Sequence, residues 1–318
     1  MLLRPFLASL GLVMFVGCTM PTASYRKVDQ SSPAFKEAVA HETQVQQDKG
    51  LSAGEAEKNA TQLVTKQVIK AEKERRLEQA APLVRALTVL EQPVGCWAYT
   101  VTSTRHQDGK TTVEVERYDP FQPENRLWTL VSRDGLPPDE PAQADYRKTK
   151  LRASKKSLFT LKPKSTASER VERATIFDDF ECISSDTSRQ TTFNFSQGKR
   201  KVPMVSSMDG FHRTYVVENA TGTLSRQTGA MGAASLLGGT VKVDHFEAIT
   251  DYALVALSLP PFVAKTHVRF RGIFYGKDTG EIELEAVYTD FRKVKCYEDR
   301  FETRIGTPEL QDFLPGRD

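Results

Sequence analysis

Near its C-terminus the chain alternates with a period of two. Ile282, Leu284, Ala286 and Tyr288 fall on one side, and Glu281, Glu283 and Glu285 fall on the other. Successive side chains of a strand point to opposite faces, so this segment needs a sheet with one buried and one wetted face. The same texture begins at Gly95. Trp97 to Arg105 reads as a strand and Gln107-Asp108-Gly109-Lys110 as its hairpin turn, with Asp-Gly at the positive-φ positions. In the returning strand Val113 and Val115 alternate with Glu114 and Glu116. Residues 127–132 form the next strand, closed by Asp134-Gly135, and Pro137-Pro138 opens a short helix through Tyr146. Further strands are expected at 173–183, 189–196, 211–218, 240–248, 265–275 and 282–289, with Lys277-Asp278-Thr279-Gly280 turning into the last. The expected fold is mainly β, a single curved antiparallel sheet or incomplete barrel with short helices. No second core is visible, so residues 83–318 are read as one β-rich half-barrel domain.

An N-terminal α-helical arm precedes the sheet, over residues 32–82. Ser32-Pro33 is an N-cap followed by proline at the first helical position, and that helix should end near Gly50. Ser52-Ala53-Gly54-Glu55 has the spacing of a capping box. The helix after it keeps Ala56, Ala60, Leu63, Val64, Val68 and Ala71 at helical spacing to about Gln79. Leu83, Val84, Leu87 and Leu90 make a third, more apolar segment after Pro82. The arm is either a docking element or a spacer lying along the main domain.

The N-terminus speaks to location. Arg4 precedes an eleven-residue apolar run from Phe6 to Val16, too short to span a bilayer and right for a secretory signal. It ends in Phe15-Val16-Gly17-Cys18, which resembles the bacterial lipobox. The resemblance implies cleavage after residue 17 and lipidation of Cys18, and the polar segment that follows, with Pro21 and several Ser and Thr, reads as a flexible tether over 18–31. Thr19 rather than Asp after the cysteine implies the outer membrane, with the protein facing the periplasm. Export makes a disulfide available among Cys96, Cys182 and Cys296, and three cysteines allow one intramolecular bridge at most. Lys+Arg 44 against Asp+Glu 41 gives a net charge of +3, too balanced for a nucleic-acid partner.

Chemistry is sparse. There is no His-Glu-x-x-His, Gly-x-Ser-x-Gly or Walker loop, and no Cys-x-x-Cys, so neither an enzyme nor a metal or cofactor site is expected. Ser196-Gln197-Gly198-Lys199 matches Ser-x-x-Lys but falls in a turn. Asp178-Asp179 and Glu298-Asp299 are adjacent pairs, which a strand points to opposite faces. The histidines, among them His106, His212, His245 and His267, show no ligand spacing. Arg147, Lys148, Lys150, Arg152, Lys155 and Lys156 begin a strip without acidic residues, either a contact for anionic membrane phosphates or a solvated face. The glycine-bracketed stretch 229–239 reads as a mobile flap or a tight loop.

Several segments recur in an order found in proteobacterial envelope proteins. They are Asp119-Pro120-Phe121-Gln122-Pro123, Arg126-Leu127-Trp128-Thr129-Leu130 and Asp134-Gly135-Leu136-Pro137-Pro138. Tyr215-Val216-Val217, Thr221-Gly222-Thr223-Leu224, Val241-Lys242-Val243, Arg271-Gly272-Ile273-Phe274 and Tyr288-Thr289-Asp290-Phe291-Arg292 continue it. The layout is similar to the lipoprotein-carrier superfamily of LolA and LolB. The resemblance implies an incomplete barrel, helices over its mouth, and an apolar cavity for acyl chains. The expected lining is Trp97, Trp128, Phe193, Phe195, Phe270, Phe274, Ile282 and Leu284, which would otherwise simply pack a core. Two function classes follow. One is a membrane-anchored, non-catalytic lipoprotein that takes an acyl chain or lipoprotein ligand. The other is a tethered structural lipoprotein docking onto another envelope protein, with no ligand.

Replacing Cys18 with Ser should abolish incorporation of labelled fatty acid and leave unprocessed precursor. Normal processing of the variant, with no label in the wild type, would refute the anchor.

Overall fold

The structure is a computed structural model. It describes residues 28–158 apart from Pro93, isolated positions between 166 and 175, and 179–297 apart from 185–188, 198–204, 209–210, 237–240 and 275. Cys18, the signal segment 1–17, most of the tether, Asp178, Lys199 and Glu298-Asp299 lie outside the described residues.

Three helices and twelve strands are described. The helices are α1 (Pro33–Asp48), α2 (Ala53–Leu90) and α3 (Glu140–Leu158). The first strands are β1 (Cys96–Gln107), β2 (Lys110–Tyr118), β3 (Trp128–Arg133), β4 (Asp179–Ser184), β5 (Gln190–Gln197) and β6 (Val205–Met208). They continue as β7 (Phe211–Glu218), β8 (Thr223–Met231), β9 (Ala234–Leu236), β10 (Val241–Ala253), β11 (Phe262–Phe274) and β12 (Lys277–Val294). Ten form one antiparallel path, β3-β2-β1-β12-β11-β10-β8-β7-β5-β4, while β6 and β9 pair beside β10. The path does not close, so the expected open, mainly β sheet is what forms.

Directly paired residues share a face, so the ladders show which side chains travel together. One row crosses all ten strands: Cys182, Phe193, Tyr215, Gln227, Thr250, Thr266, Ala286, Ser103, Glu114 and Arg133. A neighbouring row carries Phe195 and Leu284, and another carries Met231, Phe246, Phe270 and Ile282. This inner face is the one the helices cover.

The second half of α2 lies on it. Ala80, Leu83, Ala86 and Leu87 pack with Phe193, Phe195, Tyr215, Val217 and Leu224, together with Val171 and Ala174 from helical positions after α3. Arg76 is buried at the rim, its Nη1 donating to the Thr175 carbonyl at 3.3 Å and its Nε to Glu72 at 2.8 Å. Toward the N-terminus α1 packs on α2, and Phe35, Ala56, Ala60 and Val64 are buried. Ser32 caps α1 through Phe35 N–H at 3.3 Å, as its N-cap position requires.

Several local expectations shift. The helix assigned an end near Gln79 continues through Pro82 to Leu90, so the third segment is its last part and the boundary at 82/83 falls inside it. Proline removes one backbone donor, and burial of Leu83, Ala86 and Leu87 outweighs that loss. Within 173–183 the described strand begins at Asp179, and Ala174 and Thr175 are helical. Where described, most of the stretch 229–239 is strand: β8 runs to Met231 and Ala234–Leu236 pair as β9, with a tight connection at Gly232-Ala233. The turn before β12 contains Gly276 (φ 77°), and Thr279-Gly280 instead make a bulge opposite Gly272. Thr279 Oγ1 there accepts from Gly272 N–H at 3.2 Å and donates to its carbonyl at 2.8 Å. Asp108 (φ 51°) and Gly109 (φ 70°) make the β1–β2 turn as expected.

The cysteines resolve as one bridge. Cys96 and Cys296 join the start of β1 to the chain just after β12, across a separation of 200 residues. Cys182 stays reduced and half-buried on β4, and burial raises its thiol pKa.

Leu83→Ala should destabilise the protein by about 2–5 kcal/mol, because its site is closed. Leu63→Ala on the exposed side of α2 should cost under about 1 kcal/mol. Thermal unfolding of both variants checks this. Hydrogen bonds from Arg75, then Arg76, hold the Glu72 carboxyl at a pKa of about 2, against an ordinary 4.5. Its contribution is therefore present above about pH 4.5 and lost as pH falls toward 2. The stability gap between wild type and Glu72→Gln should shrink over that window in acid titrations.

Candidate functional site

The expected lining residues other than Phe274 share one face, and they divide into two kinds. Phe193, Phe195, Phe270 and Ile282 are at most 2% exposed and belong to the packed core. Trp97, Trp128 and Leu284 are half-buried. Phe274 ends β11 opposite Val241 and Lys277, and its side chain lies outside the described residues.

Trp97 and Trp128 belong to a chain of seven rings at the β3-β2-β1-β12-β11 end of the sheet. Trp97 packs on Phe262 at 5.0 Å between centroids, and Phe262 on Phe291 at 5.2 Å. Tyr99 is the hub, contacting Phe291 and Tyr288 at 5.8 Å, Tyr118 at 5.0 Å and Trp128 at 6.1 Å. Tyr118 and Trp128 close the cluster at 5.0 Å. All seven rings are half-buried. Alternation places Trp97 and Tyr99 on one side of β1, and ladder pairing sets Tyr118 and Trp128 beside Tyr99. Phe291 arrives through a bulge in β12, where Asp290 adopts a left-handed φ of 57° and the phase of the strand shifts. Burial pushes the Tyr99 and Tyr288 phenols above the ordinary range, and the nearby Glu116 carboxylate pushes in the same direction.

Two carboxylates share this inner face. The period-two pattern of β2 holds, but its polarity is the reverse of an ordinary strand. Glu114 and Glu116 are buried, at 4% and 7% exposure, while Val113 and Val115 are half-buried on the outer face. Arg133 from β3 meets Glu114 at 2.9 Å. Lys150 from α3 meets Glu116 at 2.9 Å and stands over the Trp128 ring, 4.3 Å from its centroid, with the Tyr146 ring at 5.4 Å. The basic strip is therefore not one outward face. Lys150 turns in to the sheet, Arg147 is half-buried and Lys148 is exposed, because helical spacing sends neighbours to different sides. Arg152, Lys155 and Lys156 are helical, and their side chains lie outside the described residues.

Beside β4, β5 and β7 lies a recess of about 590 Å³, lined by Glu181, Asn194, Ser196, His212 and Thr214 and also by Phe180, Phe195 and Arg213 of the inner face. Ser196 Oγ and His212 Nδ1 are 2.9 Å apart as a cross-strand pair. Both sit within paired strands, where backbone N–H groups serve the ladder rather than an oxyanion. His267 pairs with Glu283 at 2.8 Å, and His106 with Thr111 at 2.8 Å, as cross-strand contacts. Among the described residues no three His, Cys, Asp or Glu side chains gather as a metal site, and no helix is long and apolar enough to cross a membrane.

Of the tyrosines and phenylalanines around Trp97 and Trp128, the sequence placed only Tyr288 on the apolar side of its strand. Tyr99 was available to it through alternation with Trp97, whereas Tyr118, Phe262 and Phe291 join only through pairing and a bulge. The chain matches no protein-family model, no curated protein and no solved structure.

Proposed function

We propose that the protein is a non-catalytic envelope lipoprotein, anchored at Cys18 in the outer membrane, that lays an acyl chain of a lipid or lipoprotein along its aromatic face. The observation that carries this reading is the division of the inner face. At the β4–β8 end α2 seals Phe193 and Phe195, whereas the seven rings at the opposite end touch one another and keep part of their surface accessible. Apolar area left open in this way is worth about 25 cal/mol per Å² to whatever covers it. An open antiparallel sheet with helices on its inner face also accords with the lipoprotein-carrier resemblance. The docking reading has its own support, since Leu63 and Val68 on the arm stand 39% and 41% exposed.

A fluorescent fatty acid should bind saturably to the full mature chain, and Tyr99→Ala should weaken binding, since Tyr99 contacts four of the other rings. Trp128→Ala provides a second variant, expected to weaken binding, with circular dichroism reporting the fold of each. No saturable binding of acyl probes or lipidated peptide by folded wild type would leave the docking reading in its place.

A further inference from the structure

Glu116 is a buried carboxylate on the face that carries the rings, and among the described residues its ion-pair partner comes from outside the sheet. Its side chain is 9% exposed, and its partner Lys150 comes from α3, a separate element. The neighbouring pair is built differently, since Glu114 takes Arg133 from the adjacent strand of the same sheet. Around Glu116 the sheet provides Trp128, which packs on Tyr118 and Tyr99. The ammonium of Lys150 sits 4.3 Å from the Trp128 centroid and 5.4 Å from that of Tyr146, with Glu116 Oε1 at 2.9 Å. A carboxylate beside aromatic faces is the combination that recognises organic ammonium groups, through charge and ring quadrupole together. Lys150 is also reachable, with its side chain 30% exposed.

We propose that Glu116, Trp128 and Tyr118 form a recognition site for a primary alkylammonium, such as the ethanolamine headgroup of a phospholipid, and that Lys150 is an internal occupant which the ligand displaces. One ammonium exchanges for another, so the buried carboxylate is never left unpaired and the exchange avoids the cost of a bare charge. The displaced Lys150 then lies beside the ligand, placed to meet the phosphate that accompanies an ethanolamine group. The lipid form of this ligand rests on the proposed acyl reading, since its chains would run along the neighbouring rings, whereas the ammonium chemistry stands on the Glu116 geometry alone.

The test titrates the full mature chain with ethanolammonium chloride, dihexanoyl phosphatidylethanolamine and dihexanoyl phosphatidylglycerol. Tryptophan fluorescence reports binding, and hydrogen exchange across Glu140–Leu158 reports release of α3. The ethanolamine lipid should bind and speed exchange in α3, and the glycerol lipid should bind at least about tenfold more weakly. Glu116→Gln should erase that preference. Lys150→Ala should tighten ethanolamine binding by about tenfold or more, because an internal competitor reduces apparent affinity by the fraction of sites it fills. Lys150→Met, which keeps the aliphatic stem, serves if the alanine variant does not fold. Response to ethanolammonium but not to the lipid supports the ammonium site with a free amine as its source, and counts against the acyl reading. Equal binding of the two lipids, an unchanged preference in Glu116→Gln, or weaker binding in both Lys150 variants would overturn the site. Fatty-acid binding with no ammonium dependence would overturn it while leaving the acyl reading intact.

Discussion

The inner face exists because the ladder register runs from Cys182 in β4 to Arg133 in β3 with every side chain of that row on one side. A one-residue slip in any ladder would turn the apolar set of every strand beyond it toward water. The bulges at Asp290, at Thr279-Gly280 and near Asp244 bend the strands and reset their phase. A Cβ on Gly272 would collide with the Lys242 carbonyl, so the close approach of β10 and β11 depends on that glycine. The disulfide fastens β1 to β12 at the end where the aromatic cluster lies.

With that face established, the two ends of the sheet are completed differently. At the β4–β8 end α2 contributes small and branched residues that pack among Phe193, Phe195 and Tyr215 in a buried cluster. At the β3–β1 end α3 contributes, among its described side chains, the buried Tyr146 and the Lys150–Glu116 ion pair. A carboxylate on an apolar face costs several kcal/mol unless a cation stays with it, so that contact orients α3 more than it strengthens the fold. The charges of the outer face differ in kind. Lys265–Glu285 and Arg269–Glu281 are cross-strand ion pairs of β11 and β12 open to water, which screens each, and the His267–Glu283 hydrogen bond lies between them.

Local chemistry alone determined the antiparallel, mainly β character, the Asp108-Gly109 turn, the Ser32 cap and the clean alternation of β12. Each rests on neighbours within a few residues, where side-chain period, turn geometry and capping act directly. The shared face of Trp97, Trp128, Phe193, Phe195, Phe270, Ile282 and Leu284 was legible for the same reason. What period two leaves open is which of two sides is in. Val113 and Val115 name one side of β2, and the ladder to β1 and β3 selects the other, because Arg133 and Lys150 arrive to neutralise Glu114 and Glu116. Pro82 likewise reads as a helix stop, and only the face of Phe193, Phe195 and Leu224 makes continuing the helix worth a missing hydrogen bond. The sharing of cysteines, the bulge that brings Phe291 to Tyr99, and the inward turn of Lys150 all join residues far apart in sequence, so tertiary packing decided them.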